Sequence, residues 1–275
     1  MKNVKYLGEL KEIDTEEKAY LLGQIYGDGL NVSYKIKNKN WFSYKTEITS
    51  TIDDTEMYEK LSKLFPFFKL TKYNSQKSVV FLCAAQKQLY LDLVGHGMIS
   101  NKVKYDKTFE FHFPQLREDL VHHFIRGYFD ADGSAWFPLR KRSRNNLHIE
   151  FGCNTKNFLS KINEVLLENG MEFTYNERYK KAGNGKRYRS CILLSSNSSL
   201  SRKFANYIYK DATIYLQRKY DICYREPELR PFAYQIYGTC PDCGSTHITM
   251  SGTRDGKRRL ICKNCNRHFT RPMPK

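Results

Sequence analysis

Two carboxylates occupy matching places in this chain. Asp28 ends the run Leu21-Leu22-Gly23-Gln24-Ile25-Tyr26-Gly27-Asp28-Gly29, and Asp132 ends Ile125-Arg126-Gly127-Tyr128-Phe129-Asp130-Ala131-Asp132-Gly133. Each run is apolar, carries small residues four apart and closes on Asp-Gly. An aspartate at the C-terminal end of a helix is disfavoured by ~0.3–1 kcal/mol, because the helix dipole is negative there. Two such carboxylates side by side also repel each other. A divalent cation relieves both problems, and the hard, oxygen-seeking Mg²⁺ (or Mn²⁺) suits such a pair. One Asp-Gly alone is ordinary turn chemistry. Two, in matched helices of a chain with net charge +17, point to metal-assisted work on a polyanion.

A second cluster is formed by Cys240-Pro241-Asp242-Cys243 and Cys262-Lys263-Asn264-Cys265, spaced C-x₂-C-x₁₈-C-x₂-C. That spacing is read as a tetrahedral four-thiolate zinc site, structural because no position stays open. Residues 240–275 hold eight Lys/Arg against two Asp/Glu, as expected for an arm along a phosphate backbone. Cys83, Cys153, Cys191 and Cys223 lie among apolar residues and read as buried small hydrophobes.

Elements must hold these groups in place. Residues 14–28 read as a helix, with Asp14 as N-cap, Glu17 reaching back, and Gly29 ending it in a left-handed conformation. Residues 117–132 repeat the pattern. Gly23 and Gly27 share one helical face, as do Gly127 and Ala131, so the two helices can approach backbone to backbone and bring Asp28 beside Asp132. Strand, strand, helix, strand, strand, helix patterns follow each of them. The fold class is therefore α+β, with two pseudo-symmetric αββαββα half-domains and a small zinc ribbon. The expected boundaries are 1–115, 116–225, a Pro-containing linker at 226–239, and the ribbon at 240–275.

The chain has 46 Lys+Arg against 29 Asp+Glu. Its preferred partner is a nucleic acid. No apolar run reaches the ~20 residues of a membrane span, and the N-terminus has no signal core. An intracellular, cytoplasmic protein is expected, wherever its target DNA resides.

At this point the residues resemble the double-motif LAGLIDADG homing endonucleases. Asp130-Ala131-Asp132-Gly133 reproduces the DADG ending, while Tyr26-Gly27-Asp28-Gly29 departs from it but keeps the final acid. The likeness covers roughly residues 10–225. It implies two four-stranded antiparallel sheets saddling double-stranded DNA, with Asp28 and Asp132 holding Mg²⁺. It also implies a supporting lysine near the end of each half: Lys102 after Gly97-Met98-Ile99-Ser100-Asn101, and Lys219 in Tyr215-Leu216-Gln217-Arg218-Lys219, with Arg218 its near competitor. The ribbon resembles those found beside transposase DNA-binding domains.

Candidate DNA contacts lie on the strands and loops: Lys35, Lys37, Lys39 and Lys45 in the first half; Arg140, Lys141, Arg142, Arg144, Lys186 and Arg187 in the second; Arg258 and Arg259 in the ribbon. Alternate strand residues share a face, and a β-ribbon fits the major groove. The expected activity is site-specific, metal-dependent hydrolysis of both strands with staggered ends, by a monomer with internal pseudo-two-fold symmetry. The alternative is a non-catalytic binder, an RNA maturase or regulator, on the same scaffold. A recombinase, suggested by the ribbon alone, ranks third.

Overall fold

A computed structural model describes residues 4–37, 39–73, 78–98, 112–138, 146–153, 155–181, 187–224 and 233–273. Two compact units divide the chain, Met1–Glu226 and Pro227–Lys275.

The first unit contains the repeat. Its first half runs α1 (Glu16–Asp28), β1 (Gly29–Lys35), β2 (Phe42–Thr51), a 3₁₀ turn (Ile52–Asp54), α2 (Thr55–Leu64), β3 (Lys69–Tyr73), β4 (Val79–Ala84) and α3 (Lys87–Gly95). The second runs α4 (Glu118–Asp132), β5 (Ser134–Trp136), β6 (His148–Cys153), α5 (Lys156–Glu168), β7 (Thr174–Lys181), β8 (Arg187–Ser195) and α6 (Ser198–Tyr209), and α7 (Gln217–Tyr224) is added. The sheets have the orders β1-β2-β4-β3 and β5-β6-β8-β7, antiparallel throughout, so one topology occurs twice.

Strand alternation explains which face packs. In β4, Val80, Leu82 and Ala84 are buried; in β6, Ile149 and Phe151 are. The halves share one core. Tyr26 of α1 meets Phe124 of α4 edge-on at 5.2 Å and stacks on Phe158 of α5 at 5.6 Å, centroid to centroid.

α1 and α4 approach through the small residues. A Cβ on Gly23 would lie 2.2 Å from the Phe124 carbonyl oxygen and 2.6 Å from the Tyr128 nitrogen. A Cβ on Gly127 would lie 2.1 Å from the Tyr20 oxygen and 3.1 Å from the Gln24 nitrogen. These contacts interchange when 20, 23 and 24 are swapped for 124, 127 and 128, as a two-fold axis requires. The obstacles are backbone atoms and cannot rotate away. Gly127→Ala is therefore expected to destabilise the unit at or above the upper end of the ~1–3 kcal/mol typical of overpacking, read as a lower urea midpoint with unchanged slope.

Two local expectations are corrected. The N-cap of α1 is Thr15, whose hydroxyl accepts from the Lys18 N–H; Asp14 instead pairs with the Lys18 ammonium at 2.6 Å. Gly29 is extended (φ −81°, ψ 152°), as is Gly133 (φ −79°, ψ 165°). The chain passes straight from helix into strand, and glycine is needed for space. A Cβ on Gly29 would fall 2.4 Å from the Ile25 oxygen, and one on Gly133 2.1 Å from the Phe129 ring.

The second unit has α8 (Ala233–Tyr237) and an antiparallel sheet of order β11-β10-β9, from β9 (Ile248–Arg254), β10 (Lys257–Cys262) and β11 (His268–Pro272). The span 226–239 is thus more than a linker. Ala233 and Tyr237, one turn apart in α8, join the ribbon's small core with Ile248 and Leu260. Among the described residues no helix is long and apolar enough to cross a membrane.

Candidate active site and metal centre

Asp28 and Asp132 are the last residues of α1 and α4. Both are exposed, although the helical residues before Asp28 are buried from Ala19 to Gly27. A Cβ on Gly27 would lie 2.3 Å from the Ala131 Cβ, so the two helix ends are in contact one residue before the carboxylates. The donor set fits a hard divalent cation: carboxylate oxygens, open to solvent, at a place where negative charge accumulates. Burial pushes the Tyr128 hydroxyl well above its ordinary value, and Cys153, Asp132 and Asp28 add to the rise.

Lys219 lies beneath the end of α4. Its side chain is buried, and Nζ donates to the carbonyl oxygens of Phe129 (2.6 Å), Asp130 (2.7 Å), Ala131 (3.3 Å) and Gly133 (2.6 Å). Burial brings its ammonium down to about 8, with Asp130 opposing. An ammonium carries three protons, so this one is fully committed to the backbone around Asp132. Lys219 thus offsets the C-terminal dipole of α4. Lys102 lies outside the described residues.

Arg218, its neighbour, points elsewhere. Nε and Nη2 donate to Asp54 Oδ1 and Oδ2 at 2.8 and 3.2 Å. Asp54 is buried and also accepts from the Ser50 and Thr51 hydroxyls.

Two further groups, Asp130 and Arg126, brace the motif helices. Asp130 is buried and accepts from Tyr20 Oη (2.9 Å), Tyr209 Oη (2.6 Å) and the Leu216 N–H (2.7 Å), and burial raises its carboxyl. Arg126 has no exposed surface. It donates to Glu16 Oε1 (2.6 Å), to the Ile208 and Ile214 carbonyls and to His123 Nδ1. Arginine can only donate, so His123 accepts as neutral imidazole, in keeping with burial and Arg126 holding it down at about 4. Position 126 matches Leu22 of the first motif, and a charge inside an apolar helix face is the sequence signal that sets Arg126 apart.

Glu16 gives a pH prediction. Burial raises its carboxyl, but the Thr213 N–H, Arg126 and His123 outweigh burial, and the net shift is downward. A lowered folded-state value means stability that is complete above the ordinary glutamate value and lost as pH falls through the folded one. The unfolding temperature should therefore hold to about pH 4.3 and drop below it. Glu16→Gln should flatten that drop and cost about 3–5 kcal/mol at neutral pH, because it strands the buried guanidinium.

Of the DNA-contact candidates, Lys35, Lys37 and Lys39 are exposed, and the Lys39 ammonium sits 4.6 Å from the Trp41 ring centroid. Lys45 is half-buried and pairs with Glu47 at 2.7 Å. Arg259 is exposed on β10. Arg258, one residue away on the other face, turns its Nε to the Tyr237 hydroxyl at 3.4 Å and so packs on α8. Arg140, Lys141, Arg142, Arg144, Lys186 and the Arg187 side chain lie outside the described residues.

The four cysteine sulfurs of the second unit lie within 4.8 Å of one another. Cys240 Sγ is 3.6 Å from Cys265 Sγ, and Cys243 Sγ is 3.6 Å from Cys262 Sγ. Zn–S bonds of ~2.3 Å in a tetrahedron demand roughly 3.8 Å, so the cluster fits zinc. Each Cys-x-x-Cys turn is followed by a left-handed residue, Gly244 (φ 67°) and Asn266 (φ 61°). The backbone N–H groups of Cys265 and Asn264 lower the Cys262 thiol, while hydrogen bonds with the neighbouring thiols raise that of Cys265.

Comparison with known proteins agrees with this geometry. The family model described as a LAGLIDADG-like domain matches residues 119–209. That stretch runs from α4 to the end of α6. Among solved structures, the LAGLIDADG homing endonuclease I-GzeII, in complex with its DNA target, superposes with TM-score 0.51 at 11% identity, over 74% of this chain and 86% of that one. I-DmoI, in complex with DNA and Ca, gives 0.48 at 19% identity, over 73% and 93%. No curated protein matches by sequence. The LAGLIDADG-like half carries α4 and its final Asp132, and its topological duplicate carries α1 and Asp28. The first unit has the two-domain LAGLIDADG endonuclease fold.

Proposed function

We propose that the protein is a site-specific DNA endonuclease of homing type, hydrolysing one phosphodiester in each strand to leave staggered ends. The observation that carries this reading is the pair of exposed carboxylates, Asp28 and Asp132, at the touching ends of two close-packed helices. Mg²⁺ or Mn²⁺ held there would activate water and offset charge on the phosphate. The chain supplies the rest. Tyr20, Tyr209, Leu216 and Lys219 fix the end of α4, and the lysines of β1, the β1–β2 turn and β2 meet the DNA backbone. One chain carries both carboxylates, so a monomer suffices. Lys102 is proposed to support the first carboxylate, and the zinc ribbon to extend the footprint through Arg259.

The test is cleavage mapping. Incubating the protein and Mg²⁺ with pooled genomic DNA, then sequencing the ends, should give discrete staggered breaks that vanish with EDTA. Salt-sensitive binding without breaks would replace this reading with the non-catalytic binder.

A further inference from the structure

Arg218 and Lys219 are consecutive on the first turn of α7, yet they serve opposite sides of it. We propose that the two cations have separate roles. Lys219 is a positioning residue that holds the end of α4, and through it Asp132, while Arg218, clamped by Asp54 of the other half, meets a DNA phosphate beside Asp28.

The Lys219 side follows from saturation. Four carbonyls surround the ammonium of a lysine that is only 4% exposed, and three of them belong to the last turn of α4. No proton remains for a phosphate.

The Arg218 side follows from the clamp. Its side chain is 49% exposed while that of Asp54 is 1% exposed. Two parallel N–H···O bonds fix the plane of the guanidinium, which a lysine cannot reproduce. Nη1 has no partner among the described residues and remains available as a fork for an anion. Asp54 closes the 3₁₀ turn after β2, in the half that carries Asp28. Strand register places the group: Gly29, next to Asp28, pairs with Ile48, and β2 runs on from there to the turn that Asp54 closes. The tail of the second half thus delivers a cation to the site of the first. Ser50 and Thr51 donate to Asp54 as well, so the carboxylate stays ionised and in place to hold the fork.

The inference rests on the nuclease reading only in taking the contacted phosphate as one that is cut. The test uses the full chain and a duplex selected by the protein from a random-sequence pool. Affinity is measured against salt in EDTA, and strand-resolved nicking in Mg²⁺. Arg218→Gln should reduce the log–log salt slope by about 0.9, the loss of one phosphate contact. It should also slow the cut of one strand at least tenfold and spare the other. Asp54→Asn should slow the same strand by less, and Arg218→Lys should not restore it. Lys219→Met should keep the salt slope, lower the unfolding midpoint and slow the opposite strand. If Arg218→Gln unfolds, the Asp54→Asn/Arg218→Gln double variant, which removes both charges, supplies the slope. An unchanged slope for Arg218→Gln, or a reduced one for Lys219→Met, overturns the assignment. If the wild type binds without cutting, the nuclease reading fails alone, and the slopes still decide between the two cations.

Discussion

Asp28→Asn and Asp132→Asn each lower double-strand cleavage by at least about 10³-fold, equivalent to roughly 4 kcal/mol of transition-state stabilisation. The substitution keeps the shape of the side chain and removes the charge that attracts a divalent ion. Both positions are exposed, so the cost falls on chemistry and little on folding. The dipole argument gives a second readout of opposite sign. Neutralising a carboxylate at a helix C-terminus removes an unfavourable interaction of ~0.3–1 kcal/mol. The unfolding midpoint of each variant should therefore stay level or rise slightly while activity collapses. Each variant should also accumulate nicked rather than linear plasmid if each carboxylate chiefly serves one strand. Equal activity of wild type and both variants would remove the pair from the mechanism.

Stripping zinc from the full chain unfolds the second unit and leaves the first intact. Among the described residues its buried hydrophobic core is small: Ala233, Tyr237, Ile248 and Leu260, with the two ligands Cys240 and Cys262. A segment of this size rarely folds on apolar burial alone. Structural zinc contributes on the order of 10–16 kcal/mol to such modules, more than the unit's small apolar core can replace. The measurement is limited trypsin digestion with and without a strong chelator. The exposed Arg254, Lys257 and Arg259 should become cleaved early in the chelated protein, while α1 and α4 stay protected. Cys243→Ser should behave like the chelated protein, and readdition of Zn²⁺ should restore resistance only to the wild type. A ribbon equally resistant with and without metal would show that the four sulfurs are held by packing.

The architecture was legible because two signals recur. Paired apolar runs ending in Asp-Gly mark the two helices, and the expected order of strand, strand, helix, strand, strand, helix after each of them is observed. Small residues four apart also foretold the close approach of α1 and α4. What escaped were groups whose meaning depends on partners far along the chain. Lys219 reads as one more cation in a basic sequence until the carbonyls of residues 129–133 are seen around it. Asp54 looks like a helix N-cap, yet it serves an arginine from the opposite end of the unit. A left-handed Gly29 is expected because glycine after a helix usually supplies one, whereas at Gly29 and Gly133 alike steric room decides.

The reciprocal contacts of Gly23 and Gly127 are those of an isologous dimer interface, in which each surface meets its own copy. Here both copies lie on one polypeptide, which frees them from identity. Leu22 stands where the second motif has Arg126, and Tyr26 where it has Asp130, so at these two positions the second helix carries buried charges and the first carries none. A homodimer changes both sides with every mutation and is tied to palindromic sequences. This chain can alter β1–β2 and β5–β6 separately while one helix pair keeps the carboxylates in register. Its target is accordingly expected to lack two-fold symmetry, and variants selected for new half-sites can be recombined half by half as long as the glycine face is kept.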